Sequence, residues 1–346
     1  MLDKELYIKI YNEKRSIKLP IFSTPWWLDA VCGSENWDAI VLDDGMGGVK
    51  AMFPITYEDR KHKRIGLPLL TQKLGTYIVY PKGQSNFKKL AYDNEIVDKI
   101  VEQLPKINKF NINFNYTFTN WLPFYWKGFK QTTRYTYIVQ NLNQNVFAKF
   151  APCKRTDIRK AEKLVDVMYD LSGEEFIRYY SESLCKQGKN LIYSQDRFLK
   201  LYNAVLAHDS GRIIYAIKKD NPRIITGAIF YVWDSYSIYN LVTAFDPDYR
   251  NTGSSSLLFY QIMKDFSDSG LKFDFEGSMV ETIEHSYNKF GTVQVPYYTI
   301  YGVFNYWTEL KEAFRNIVIL KIRPYLWNYL FFRKLWKFKK HFGVKK

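Results

Sequence analysis

The chain lacks the residue sets that would mark several common enzyme classes. No serine, histidine and aspartate fall into a nucleophile pattern, and no His/Cys cluster has metal-ligand spacing. There is no Gly-x-x-x-x-Gly-Lys loop and no Gly-x-Gly-x-x-Gly. Hydrolase, zinc-enzyme, kinase and Rossmann oxidoreductase readings therefore have no support. Cysteine is scarce: Cys32, Cys153 and Cys185 lie far apart, which fits reduced, partly buried thiols in a reducing compartment. No apolar run approaches the ~18 residues that span a bilayer. Met1 to Leu19 is charged throughout, without the apolar core of a secretory leader. The expected location is the cytoplasm, with a peripheral position on the inner face of the membrane as a further possibility. Proline- or serine-rich linkers and low-complexity tracts are also missing.

Acidic residues are absent from one region. Between Ala313 and Lys346 there are ten Lys or Arg and no Asp or Glu, against a net charge of +15 for the chain. The cations alternate with rings such as Tyr325, Trp327, Tyr329, Trp336 and Phe342. Such a segment could lie on an anionic membrane surface, or grip the phosphates of an RNA such as tRNA. It could equally be a helix that packs its rings and solvates its charges.

What is present is enough for two ordinary domains: 346 residues, 47% apolar and 18% aromatic. A module of about 30 residues occurs twice at an ungapped offset of 161. Phe110-Asn-Ile-Asn-Phe114 aligns with Leu271-Lys-Phe-Asp-Phe275, Phe129 with Phe290, and Tyr137 with Tyr298. Asp274 and Glu276 stand where the first copy has Asn113 and Asn115, so carboxylate chemistry belongs to the second half.

Around each module the pattern repeats. Asp38 to Leu42 and Val49 to Thr56 read as a hairpin around Asp43-Asp-Gly-Met-Gly-Gly48. More strand is expected near Gly75 to Tyr80, and 87–104 shows helical periodicity. In the second half Arg212 to Ile217, Ile224 to Trp233 and Tyr236 to Ala244 are expected strands, and Ser254 to Ser269 a helix. The expected fold class is mixed α/β (α+β), with two tandem domains of mostly antiparallel sheet flanked by helices. The expected division is 1–142, 143–305, and a basic aromatic helical tail at 306–346.

Four groups of residues could carry chemistry. Arg250-Asn-Thr-Gly253-Ser-Ser255 joins a strand to a helix, so bare amides and the helix dipole could face a pyrophosphate. An ordinary capped junction has the same composition. Asp274 and Glu276 lie two apart on a strand and could serve as a base, or simply be ion-paired or solvated. Arg155, Arg159 and Lys163 share a helix face that could hold an anionic substrate group, or be a solvated stripe. Trp26, Trp27, Tyr125 and Trp126 could line an acceptor groove or pack in a core. His285 is a lone histidine in the second module.

Arg250-x-x-Gly253-x-Ser255 after three antiparallel strands resembles the acyl-CoA pyrophosphate loop of the GNAT acyltransferase superfamily, with Ser255 where Gly or Ala is usual. The whole chain is similar to the tandem-GNAT FemAB/FemX-type transferases and BioF2-like acetyltransferases. The blocks that carry this are Phe22-Ser-x-Pro25-Trp-Trp-Leu, Arg155-x-x-Ile-Arg159-Lys-Ala-Glu-Lys163, and Phe273-Asp-Phe-Glu-Gly277 through Lys289-Phe-Gly291. The resemblance covers about Ile21 to Gly302. It implies a donor and catalytic second half, a degenerate acceptor-side first half, and no metal. It further implies transfer of an acyl group from an acyl-CoA co-substrate to an amine, small or lipid-linked, on a cell-envelope or polysaccharide precursor. Arg250, Asn251, Thr252, Gly253, Ser254 and Ser255 would bind the donor. Glu276 and Asp274 would be catalytic, and Arg155, Arg159, Trp26 and Tyr125 would meet the acceptor. Aminoacyl-tRNA is the alternative donor, though the long helical arm of some aminoacyl-transferring members is not visible. A non-catalytic membrane-surface or envelope-binding protein is the other alternative.

Overall fold

The computed structural model describes residues 2–14, 16–143, 145–277 and 279–305. The tail expected at 306–346, with its basic aromatic stretch, lies outside the described residues.

The chain begins with a helix, α1 (Lys4–Glu13), capped by Asp3, whose side chain accepts from the Leu6 amide at 2.8 Å. Then comes α2 (Pro25–Cys32), with proline in its first turn. The expected hairpin follows as β1 (Trp37–Asp43) and β2 (Val49–Asp59), then β3 (Arg64–Gly66) and β4 (Tyr77–Ile78). Helix α3 (Asn86–Gln103) buries Ile96, Val97 and Ile100 on one face. The first module is β5 (Lys109–Asn113), α4 (Leu122–Trp126) and β6 (Lys130–Val139).

The second half opens with α5 (Val146–Lys149), α6 (Pro152–Leu164), β7 (Val165–Met168), α7 (Gly173–Lys186) and α8 (Gln195–Ala207). A capping box between Ser172 and Glu175 starts α7. Next are β8 (Gly211–Lys218), β9 (Ile225–Trp233), β10 (Ser237–Phe245) and α9 (Ser254–Asp265). The second module is β11 (Lys272–Asp274), α10 (Glu281–Tyr287) and β12 (Val293–Val303).

The twelve strands of the described residues join one sheet, in the order β1-β2-β3-β5-β12-β6-β11-β10-β9-β8-β7, with β4 on β2. The two modules interlock at its centre, because each sends its second strand into the other half. Strand β12 inserts between β5 and β6, and β6 lies between β12 and β11. The register obeys the sequence repeat. Tyr135 on β6 faces Pro296 on β12, its own equivalent at the 161 offset. Asn113 faces Thr299 while Asp274 faces Ile138, which is the same pairing under that offset. A local two-fold axis therefore passes between Tyr135 and Pro296. The exchange leaves neither module with an open inner edge.

Two apolar layers cover the sheet. Phe176, Phe198, Tyr239 and Leu241 belong to one, which also takes the core of the first half. Phe259, Phe273, Phe275 and Phe290 belong to the other, under α6 and α9. The halves also touch beyond the sheet. Trp26 on α2 stacks on His208 at 4.4 Å, and the Ile21 amide donates to Asp234 at 2.9 Å.

Candidate active site

Strands β10 and β11 run parallel only from Ser237–Lys272 to Tyr239–Asp274. Past that point β10 continues to Phe245, while the chain after Asp274 turns away through two left-handed residues, Glu276 at φ 62° and Gly277 at φ 71°. The sheet is thus split, and the edge of β10 from Asn240 onward loses its neighbour. A bulge at Leu241 interrupts the β9 pairing just there, between Asn240–Tyr231 and Val242–Phe230.

On the α6/α9 face this split opens into a cavity of about 880 Å³, lined by Thr243 and Phe245 of β10, Lys154, Asp157 and Lys160 of α6, and Tyr287. Arg250, Asn251, Gly253, Ser254 and Ser255 form one wall. Gly253 sits at φ 80°, and a Cβ there would collide with the Asp157 carbonyl, so only glycine lets α9 start this close to α6. The Ser254 hydroxyl is spent internally on Thr226 at 2.7 Å and on Thr252. Thr252 itself donates to the Tyr249 carbonyl at 2.7 Å. Ser255 is half-exposed, and its amide lies in the first turn of α9, where no intrahelical carbonyl reaches it. That amide, the positive end of the α9 dipole and the exposed Arg250 give this wall the chemistry of an anion cradle.

Lys154 is half-buried on the same wall and donates to Ser256 Oγ at 3.2 Å and Ser286 Oγ at 3.1 Å. Burial lowers its pKa below the usual lysine value, against the pull of Asp157. Opposite it, the Tyr287 hydroxyl accepts from Asn240 Nδ2 at 3.3 Å. Burial pushes the Tyr287 pKa up to about 12.

Alternation along β11 sends Phe273 and Phe275 to the α9 face and Asp274 to the other, where the turn after the strand also delivers Glu276. There both carboxylates meet a residue that sequence reasoning missed. Lys73 Nζ lies 2.7 Å from Asp274 Oδ2 and 3.4 Å from Glu276 Oε1, with all three side chains no more than 3% exposed. Thr136 Oγ1 donates to Asp274 Oδ1, which also accepts the Glu276 amide at 2.8 Å. Tyr116 and Tyr297 set their rings 5.7 and 5.6 Å from the ammonium. Burial opposes the charge on Lys73, but Asp274 and Glu276 outweigh it and hold its pKa above the ordinary lysine value.

Glu276 is the odd member. Burial pushes its pKa up to about 8, Lys73 pulls it back, and Asp274 raises it further. Of the two carboxyls, Asp274 takes the shorter contact with Lys73 and Glu276 the longer. Its Oε2 is buried without a hydrogen-bond partner among the described residues, and it lines a second cavity of about 160 Å³. A left-handed glutamate costs on the order of 1–3 kcal/mol. A strained, half-satisfied acid with a pKa near working pH is suited to proton transfer.

The four residues expected to meet the acceptor line neither cavity. Arg155 Nη1 donates to the Ala148 carbonyl at 2.9 Å, and the Arg159 guanidinium lies 5.5 Å from the Phe147 ring. Helix α6 turns Lys154, Asp157 and Lys160 to the larger cavity instead. Trp26 is occupied with His208, and Tyr125 stands exposed on α4 against Trp121. His285 is exposed beside Glu281 and Glu284, at 3.7 and 3.5 Å. Among the described residues no helix is long and apolar enough to cross a membrane.

Residues 154–280 match the family model described as an acetyltransferase (GNAT) domain. The match begins in α6 and ends beyond Glu276, so it contains the anion cradle and both carboxylates. Among solved structures, FemX superposes with a TM-score of 0.62 at 13% identity, covering 90% of this chain and 98% of that one. A conserved protein of unknown function from Bacteroides thetaiotaomicron gives a TM-score of 0.50 at 10% identity, covering 82% of this chain and 90% of that one. No curated protein matches. The match to a GNAT domain thus surrounds the split strands, and over nearly its whole described length the chain shares the fold of FemX, FemAB-like in architecture.

Proposed function

We propose that the chain is an N-acyltransferase that takes an acyl group from an acyl-CoA-type thioester in the 880 Å³ cavity and passes it to an amine at Glu276. The observation that supports this most is the pairing of an anion cradle with a buried acid across one split in a sheet. Ser255, Arg250 and Lys160 would hold the donor's pyrophosphate, and its thioester arm would run along the free edge of β10. Backbone N–H groups near the Leu241 bulge would polarise the thioester carbonyl. Glu276 would receive the proton of the attacking ammonium, whose free pKa near 10 is close enough to be lowered on binding. As the C–N bond forms and the C–S bond breaks, Tyr287 would give its proton to the departing thiolate, and the second proton lost by the amine nitrogen would pass through water to restore the Tyr287 hydroxyl.

A cell-envelope or polysaccharide amine suits the FemAB-like architecture, and the basic segment 313–346 would hold the enzyme near a membrane-proximal acceptor. Incubation of the full chain with acetyl-CoA and pooled envelope precursors, followed by thiol titration and mass spectrometry, tests the reading. Thiol release matched by an acetylated amine supports it. Transfer from aminoacyl-tRNA alone would move the donor to the alternative, and transfer from neither would remove the enzyme reading.

A further inference from the structure

The smaller cavity lies on the Lys73 side of the sheet, close to the local two-fold axis, and both halves line it. Arg134 on β6 and Tyr297 on β12 face each other there in register, and Gln72 and Asn113 close the first-half side. Glu276 supplies the second-half side. Gly277 fixes how near it comes: it is left-handed, and a Cβ would collide with the Tyr135 carbonyl, so the 276–277 turn lies directly on β6 one residue from Arg134.

The charges do not close within the protein. Lys73 and Asp274 are satisfied by each other. Asn113 is also spent, since its Nδ2 donates to the Gln72 carbonyl at 3.0 Å and its Oδ1 accepts from Thr299 at 2.7 Å. Two groups remain: the buried Glu276 Oε2, and the half-exposed Arg134, which makes no hydrogen bond or ion pair with the described residues and lines the cavity. A buried oxygen left unpaired is destabilising, and a guanidinium is built to clasp a carboxylate or phosphate.

We propose that this cavity binds a zwitterionic head, a primary amine a few bonds from a carboxylate or phosphate, with the amine on Glu276 and the anion on Arg134. The proposal relies on the transferase reading for the role of acceptor, whereas the ligand chemistry follows from the cavity itself. About 160 Å³ admits such a head and little more, so the bulk of a larger acceptor stays outside.

Calorimetric titration of the full chain tests it, with glycine, β-alanine and O-phosphoethanolamine set against ethylamine and propionate. The zwitterions should bind at least tenfold tighter than either singly charged probe. Arg134→Gln should erase that advantage, and Arg134→Lys should keep part of it. Glycine without phosphoethanolamine would mark an amino-acid head, and the reverse a phosphate-bearing one. Equal binding of ethylamine and glycine, or no loss in Arg134→Gln, overturns the inference. The melting shift given by acetyl-CoA is read on the same samples. If that shift is missing while zwitterions bind, the transferase reading fails and the cavity assignment stands. If it is present while zwitterions do not bind, the cavity assignment alone fails.

Discussion

Lys73 and Asp274 are 201 positions apart and come from different halves, yet their charged atoms meet at 2.7 Å with almost no exposure to water. The first half therefore completes a site whose acids belong to the second. The pair also sets the state of Glu276, because Lys73 is the cation that restrains its pKa.

Replacing Lys73 by Met should leave two buried carboxyls without their cation. Removing one partner of a buried pair costs about 3–5 kcal/mol, readable by urea denaturation. Any surviving enzyme should show its activity rising at higher pH than the wild type, since losing Lys73 lifts the Glu276 pKa. Lys73→Arg should restore the profile in part. An unmoved pH profile would mean that Lys73 is only structural.

Glu276→Gln should lower kcat/KM by about 10²–10⁴, the usual weight of one general base, without weakening acetyl-CoA binding. In the wild type the rate should climb through about pH 8 as the carboxyl ionises. Stability should move the other way. The folded pKa of about 8 lies above the ordinary 4.5, so the native state holds the proton more tightly and loses stability as pH rises between those values. Melting temperatures across that range should fall less steeply in Glu276→Gln.

Gly253→Val places a branched side chain at φ 80° and against the Asp157 carbonyl. The strained backbone alone costs about 1–3 kcal/mol. The start of α9 should shift, and acetyl-CoA affinity should fall tenfold or more, while circular dichroism stays close to wild type.

The exchange of β6 and β12 predicts that the halves do not fold apart. Residues 1–142 alone would lack β12 between β5 and β6, leaving exposed edges that aggregate. Full-length protein should unfold in one cooperative transition over residues 2–305. Two separated transitions by calorimetry would contradict the interlock.

Much of this was legible from residue patterns. The hairpins, β10, α9 and the repeat at 161 follow from alternation, capping residues and turn glycines. Comparing the two repeats singled out Asp274 and Glu276, because the first copy has amides there. The strand exchange was hidden, since alternation tells which face a side chain takes and not which strand lies beside it. Lys73 was hidden too. It follows Leu67-Pro-Leu-Leu-Thr-Gln72, which has no period, and its partners are remote in sequence. Arg155 and Arg159 do share a face of α6, but the cavity takes the face that carries Lys154, Asp157 and Lys160. The short β3 and β7 carry too few residues for a pattern.

The most direct test of the central claim is equilibrium binding of acetyl-CoA by the full chain and by Arg250→Ala. Binding to the wild type should be saturable and one-to-one, weakened at least tenfold in the variant and unchanged in Glu276→Gln. Absence of binding to the wild type, or equal affinity in Arg250→Ala, would contradict a donor held at the start of α9.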